Sequence, residues 1–293
     1  MLINEYTAIS TSKVLLVPYT EHHVPQYHEW MQDRAIQEAT ASEPLTITQE
    51  YAMQESWRKD SDKLTFIICQ PLPNQADQKL LSHLEPKTHD NADRMIGDVN
   101  LFLSLSSEVD TNREHHHANE YSVQPPSNLS GDEYQSATTT IEVTGELELM
   151  VAVHTCQRKG YGRAALLTFI RYVLMHQSEI IAEFLQANSP SKLPSTHNRD
   201  RIHKTARIPT TTRTGSSAEL SLTAKISTTN TASLSLFQSL GFIKTAEKPN
   251  YFGEWELRFP AAIRGDGPNS QTEWERKLER WGVTAWREIR YEC

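Results

Sequence analysis

Short apolar blocks alternate along this chain with polar connections, and the period inside each block predicts its conformation. KVLLVPY at 13–19 is short and nearly continuous in apolar residues, which predicts a buried strand; PQYHEWMQ follows with Tyr27, Trp30 and Met31 on one helical face. Thr46 and Gln49 have capping-box spacing and Met53 and Trp57 lie one turn apart, so a second helix is expected there. KLTFIICQ at 63–70, RMIGDVNLFLSL at 94–105 and IEVTGELELMVAV at 141–153 are rich in β-branched and aromatic residues and predict strands, with Gly97 at a bulge or bend. GRAALLTFIRYVLMH changes to helical period, with Leu166, Ile170, Val173 and Leu174 on one face. ELSLTAKIS predicts a strand, NTASLSLFQSLGF a helix closed by Gly241, and FIKTAEKPNYFGEWELRFP a hairpin turning near Lys248 to Asn250. Trp274, Leu278 and Trp281 give a last amphipathic helix.

Two polar stretches interrupt this pattern. Residues 106–140 are acidic, rich in Ser and Thr and almost free of aliphatic side chains, so they cannot bury enough surface to offset the entropy of ordering them. Residues 184–217 are Pro/Ser/Thr-rich and basic through Lys192, Arg199, Arg201, Lys204, Arg207 and Arg213. Both are expected to be disordered insertions. Without them, the order of elements predicts one mixed α/β domain over 1–293, with its core at about 10–260 and a C-terminal extension at 264–293.

Composition fits that picture: 38% hydrophobic residues and a mean hydropathy of -0.56 imply a core smaller than 293 residues suggest. A net charge of -8 with no long basic stripe argues against nucleic acid as a partner. Cys69, Cys156 and Cys293 are too few and too scattered for a disulfide framework or a metal knuckle, which predicts a reduced intracellular chain. With neither a signal peptide nor a membrane span expected, a cytoplasmic protein without a membrane partner follows. Three adjacent histidines at 115–117 lack the spacing of a folded metal site and are expected to be solvated, and no metal is expected. His22 and His23 are expected at the surface or capping a helix, and Cys156 as a small buried filler.

The chemistry concentrates at CQRKGYGRAALL, 156–167. A strand, a glycine turn and a helix place unpaired N–H groups at a helix N-terminus, where the macrodipole favours an anion, and phosphate is the obvious ligand. A dinucleotide fingerprint would need a third glycine, and a Walker loop a terminal G-K-[ST]; neither is present. Gly160 and Gly162 let the backbone approach an anion closely, and Arg158, Lys159 and Arg163 add positive charge.

This Q/R-x-x-G-x-G/A pattern, with GELELMVAV before it and TAKISTTNTASLSLFQSLGF after it, resembles the GNAT acyl-CoA-dependent N-acyltransferases. Within that superfamily, the phrases VLLVPYTEHHVPQYHEWM, TASEPLT, QEYAMQ, GDVNLFL and N..S...F..LGF resemble the eukaryotic N-acetyltransferase 9-like proteins, whose pattern includes neither insertion. The resemblance implies a mostly antiparallel central sheet, splayed at its fourth strand and flanked by helices. It also implies acetyl-CoA as co-substrate, direct transfer in a ternary complex, and a protein N-terminal amine as acceptor, with tubulin named as a target. By the same resemblance, the backbone of Leu149, Met150, Val151 and Ala152 pairs with the pantetheine arm, and an N–H of Met150 or Val151 stabilises the oxyanion. The loop from Gln157 through Arg158, Lys159, Gly160, Tyr161 and Gly162 to Arg163 holds the diphosphate, and Asn230 and Ser233 contact the cofactor from the next helix. Phe237, counted with the cofactor contacts, stands where many relatives carry a tyrosine acid, and phenylalanine cannot donate a proton.

Glu146 and Glu148 lie two apart on a strand and so share a face, from which either could take the amine proton directly or through water. The same ELEL alternation is also what any half-exposed strand shows. Ser42, Glu43, Tyr251 and Phe252 are expected around the acceptor groove, with Tyr251 more an ordinary hairpin aromatic than an acid. Two further functions fit the same residues: acetylation of a small amine or a lysine, and a non-catalytic CoA- or microtubule-binding module.

Overall fold

Two short strands, β1 (Thr7–Ser10) and β2 (Leu15–Pro18), pair antiparallel near the start of the chain. The computed structural model describes residues 1–73, 82–105, 141–188, 218–260 and 270–292. The expected insertion at 106–140, with its three histidines, lies outside the described residues, as does 184–217 from residue 189 onward. Residues 184–187 are not loop: they end a helix, and Phe184 is buried.

After β2 come three helices, α1 (Val24–Trp30), α2 (Arg34–Thr40) and α3 (Ile47–Lys59). In α1, Val24, Tyr27 and Trp30 are buried; the Thr46–Gln49 capping box starts α3 as its spacing predicts. The chain continues through β3 (Lys63–Cys69), the two-residue β4 (His83–Leu84), β5 (Met95–Leu105) and β6 (Ile141–Val151). Helices α4 (Tyr161–Met175) and α5 (Gln177–Ala187) precede β7 (Ala218–Ser227), α6 (Thr231–Ser239), β8 (Ile243–Lys244) and β9 (Glu254–Arg258). The C-terminal extension supplies α7 (Ser270–Arg280) and β10 (Arg287–Tyr291).

All ten strands form one sheet in the order β4-β10-β1-β2-β3-β5-β6-β7-β9-β8. Pairing is antiparallel except at β10/β4 and β6/β7. One face packs against α1, α2 and α3 through Leu15, Val17, Ile67 and Met95. The other carries the larger core, where Phe66 meets Phe169 and Tyr172 of α4 edge-on at 5.9 and 5.4 Å. Helix α4 is buried more widely than a one-sided stripe would allow: Ala164, Ala165, Leu167, Phe169 and Tyr172 are as buried as Leu166, Ile170 and Val173, while Leu174 is only partly covered. It lies between the sheet and the C-terminal extension, where Trp274 stacks on Phe259 at 5.8 Å and Glu275 meets Arg171 at 3.5 Å.

Two features of this sheet create the site. Between β3 and β5 the register slips at Ile68/Cys69, leaving Ile96 as the extra residue of a bulge. A Cβ on the adjacent Gly97 would sit 2.0 Å from the Met150 carbonyl oxygen, so only glycine lets β6 lie this close. Farther on, β6 pairs with β7 only from Ile141/Ala218 to Glu146/Thr223, although it stays paired with β5 as far as Val151. Beyond Glu146 the two parallel strands part.

His22 and His23 are not surface groups. His23 is fully buried, and both rings direct Nε2 at Asp90 Oδ2, at 3.1 and 3.2 Å. Tyr291 of β10 donates to the same oxygen at 2.6 Å. Thr20 occupies the other side of both rings, its hydroxyl 2.8 Å from His22 Nδ1 and its N–H donating to His23 Nδ1 at 3.1 Å. All four ring nitrogens are therefore spent on hydrogen bonds, which makes the cluster a staple between the start of α1 and the last strand.

Candidate active site

A cleft of about 560 Å³ opens where β6 and β7 part. Its back wall is the exposed edge of β6. Leu103 N–H donates to Asp62 O and Ala152 N–H to Ile96 O, which fixes the alternation of the ladder: even-numbered residues of β6 bond to β5. The N–H and C=O groups of Leu147, Leu149 and Val151 consequently face the gap. The Val151 carbonyl accepts from Gln157 Nε2 at 2.9 Å, leaving Leu149 and the Val151 N–H to pair with an incoming amide chain. Met150 and Ala152 direct their N–H groups into the sheet, and Ala152 is buried off the cleft wall.

The floor is the glycine turn. After a 3-10 turn at His154–Cys156 the chain takes left-handed backbone at Arg158 (φ 62°) and Gly160 (φ 89°), and α4 begins at Tyr161. Left-handed backbone costs a side-chain-bearing residue roughly 1–2 kcal/mol, which explains glycine at 160. The first intrahelical bond is Ala164 N–H to Gly160 O at 3.0 Å, so the N–H groups of Tyr161, Gly162 and Arg163 remain unspent at the positive end of the macrodipole. A Cβ on Gly162 would stand 3.0 Å from Leu149 Cδ2, so the glycine keeps loop and strand edge close together. Gln157, Arg158, Gly160, Gly162 and Arg163 line the cleft; Lys159 is exposed away from the wall and Tyr161 turns toward the core. On the opposite side Asn230 caps α6, its Oδ1 accepting from Ser233 N–H at 3.1 Å, and both residues line the cleft.

Glu146 and Glu148 project from the other face of β6, directly across the ladder from Phe102 and Asn100. Glu146 is engaged by Lys225 Nζ at 2.6 Å. Glu148 has no such cation in contact, and its carboxyl is pushed up to about 7 by desolvation first, then by the charges of Glu146 and Asp98, against a smaller pull from Lys225. On the same sheet face, buried Asp98 accepts from Asn100 Nδ2 at 2.8 Å and from the Tyr27 hydroxyl at 3.3 Å, and burial raises it to about 6. Two carboxyls near neutrality thus stand beside an edge of unspent amides.

A sequence profile of the acetyltransferase (GNAT) domain matches residues 13–193. The chain belongs to the GNAT acetyltransferase family. It is 39% identical over 177 residues to the N-acetyltransferase 9-like protein of Schizosaccharomyces pombe, covering 59% of this chain and 75% of the relative. The α/β-tubulin-N-acetyltransferase 9 of Drosophila melanogaster is 37% identical, covering 59% of this chain and 65% of its own. That of Homo sapiens is 35% identical, covering 65% of this chain and 73% of its own. A solved spermidine N-acetyltransferase from Vibrio cholerae superposes over 84% of this chain and 94% of its own at 12% identity and a TM-score of 0.40, too loose a likeness to carry an argument. The mostly antiparallel sheet with its splayed strand is the GNAT fold, and the chain is an N-acetyltransferase of the N-acetyltransferase 9-like kind. The family uses acyl-CoA.

In this GNAT acetyltransferase the splay gathers the loop, the strand edge and Asn230 with Ser233; besides Lys159, Tyr161 and Ala152, it leaves Phe237 and Tyr251 aside. Phe237 is buried, packs edge-on against Phe242 at 5.1 Å and does not line the cleft. Tyr251 is 97% exposed at the hairpin tip, edge-on to an exposed Phe252, and does not line the cleft. Cys156 is half-buried, packing against the main core on one side and lining the cleft on the other. The far wall, α2 with Ala35, Ile36, Ala39 and Thr40, escaped the sequence reading. Its signal was present: Asp33 caps the helix by accepting from Ala35 N–H at 2.8 Å, and two alanines four apart leave a shallow face. Asp33 also meets His154 Nε2 at 3.1 Å, tying this wall to the turn before the loop. No helix among the described residues is long and apolar enough to cross a membrane.

Proposed function

We propose that the protein transfers the acetyl group of acetyl-CoA to the α-amine of a protein N-terminus, with tubulin as the acceptor class. The acceptor is supported by the names of the relatives above, and the co-substrate by the fit of the cleft. The turn offers the unspent N–H groups of Tyr161, Gly162 and Arg163 with the cation of Arg158 to a diphosphate, and β6 offers Leu149 to an amide-bearing arm. Bound acetyl-CoA supplies an activated acyl group as a thioester. Glu148 takes the proton of the incoming ammonium, and the acidic surroundings of Asp98, Glu146 and Glu254 hold that cation in place before it is neutralised. The Val151 N–H, aimed into the gap, serves as oxyanion donor. With phenylalanine at 237, a CoA thiolate leaves without a tyrosine acid.

The observation that carries this reading is the parting of β6 from β7 beside Glu148, which puts an amide edge and a near-neutral carboxyl on opposite sides of one strand. The test is incubation with acetyl-CoA and tubulin N-terminal peptides, scored by mass spectrometry. Acetate on the α-amine of a free peptide, absent from an Nα-blocked peptide carrying lysines, is expected. Acetylated lysine or polyamine without α-amine product would reassign the acceptor, and CoA binding without any product would make the protein a binding module.

A further inference from the structure

The C-terminal extension does not line the cleft but touches a residue that does, Arg163, through the Trp281 ring. Arg163 lies in the first turn of α4 and lines the cleft. Its guanidinium sits 3.8 Å over the ring centroid of Trp281, the residue that follows α7, and its Nη2 donates to Ser239 Oγ at 3.2 Å. Ser239 in turn donates to Leu236 O at 2.6 Å in the last turn of α6, so its hydroxyl is oriented with the oxygen toward the arginine. Among the described residues Arg163 Nε is buried without a hydrogen-bond partner, which leaves the guanidinium a donor to spare for a ligand.

Trp281 is itself fixed in place. Leu278 and Trp274 anchor α7 in the core, the helix stops in left-handed backbone at Gly282 (φ 67°), and Val283 N–H closes back on Leu278 O at 2.8 Å. The indole is 37% exposed, and a second cation, Arg280, has its guanidinium carbon 5.9 Å from the same ring. A flexible arginine loses much of its attraction for a phosphate to side-chain entropy, whereas one stacked on an aromatic face and tied at one end has already given up that freedom.

We infer that Trp281 is a positioning residue for Arg163, and that the pair, with Arg280 beside it, recognises the nucleotide 3′-phosphate of the CoA co-substrate, so that the C-terminal extension sets selectivity for CoA over 3′-dephospho-CoA. This rests on the CoA site proposed above. The diphosphate is served by loop amides, which dephospho-CoA satisfies equally; the added phosphate monoester is what a pre-oriented guanidinium and a neighbouring cation discriminate.

The experiment is calorimetric titration of CoA and of 3′-dephospho-CoA into the full chain, its Trp281→Ala and Trp281→Phe variants, and Trp281→Ala in an Arg163→Gln background. The wild type should bind CoA about tenfold more tightly than dephospho-CoA. Trp281→Ala should lose roughly fivefold for CoA and nothing for dephospho-CoA, Trp281→Phe should restore most of that loss, and the alanine effect should vanish once Arg163 is gone. Equal binding of the two ligands by the wild type, or equal weakening of both by Trp281→Ala, overturns the inference while leaving the CoA site intact. No binding of either ligand by folded wild type instead removes the CoA site itself.

Discussion

On one sheet face stand buried Asp98, raised by its burial, and Glu148, whose side chain reaches the surface and whose carboxyl is raised by desolvation and then by the charges of Glu146 and Asp98. For Glu148 as base this shift is useful, because a carboxylate near 7 accepts a proton from an ammonium far better than one near 4. Acetylation rate should therefore rise with pH through about 7, where Glu148 ionises, and level off above it. Glu148→Gln should lower kcat by about 100-fold while leaving acetyl-CoA affinity unchanged in a binding titration; wild-type turnover would remove it as base. Asp98→Asn removes one of the charges that raise Glu148, so the acid limb of the rate profile should move to lower pH. The same change should raise the melting temperature at pH 8. Asp98 binds its proton more tightly folded than unfolded, so its contribution to stability is present at low pH and is lost as pH rises through about 6. A limb that stays in place would separate the two carboxyls. Sequence alone placed Glu146 and Glu148 on one face but could not rank them, because the ranking comes from Lys225, which lies 79 positions away and reaches only Glu146.

At the scale of single elements, the turn and helix around Gly160 were fully legible, since a strand, two glycines and an apolar period dictate a helix N-terminus with unspent amides. The structure adds which amides of β6 are available, a matter of ladder alternation that no residue type reveals: Val151 faces the gap and Met150 does not. Gly160→Val should cost about 1–2 kcal/mol from left-handed backbone alone and distort the turn, so CoA binding should fall at least tenfold while circular dichroism keeps the helical signal. Retained affinity would mean that the diphosphate is not held by this loop. Helices α2 and α5 went unread because α2 is only seven residues long with Ile36 its only buried side chain, and the end of α5 borders a polar stretch whose composition masks Phe184.

Across the whole molecule, the least legible feature was the return of the C-terminus to the sheet. Strand β10 carries charged residues at Arg287, Glu288 and Arg290, which breaks any simple alternation, and gains its place by pairing with β1 and β4 and by the reach of Tyr291 to Asp90. The histidines were read only in part for the same reason: His23 does close a capping box with Thr20, but the shared partner Asp90 that buries the pair is 67 and 68 positions away. Burial alone would raise Asp90, but hydrogen bonds from His22, His23 and Tyr291 outweigh it and hold the carboxyl well below its ordinary range; burial lowers His23. Both shifts have the same sign in stability: the folded state binds fewer protons, so the contribution is present near neutrality and is lost as pH falls, first below about 6.5 for His23 and then below about 4 for Asp90. Asp90→Asn should destabilise by about 3 kcal/mol in urea unfolding at pH 7 and should flatten this acid dependence. An unchanged midpoint would show the staple to be dispensable.

In the proposed reaction β6 divides the work: its open edge and the glycine turn would hold the acyl carrier, and its Glu148 face would receive the amine. Calorimetric titration of CoA into wild type, Gly160→Val and Glu148→Gln tests that division directly. Saturable heat of equal affinity is expected for wild type and Glu148→Gln, with affinity at least tenfold lower for Gly160→Val. Wild-type affinity in Gly160→Val together with lost binding in Glu148→Gln would contradict that division.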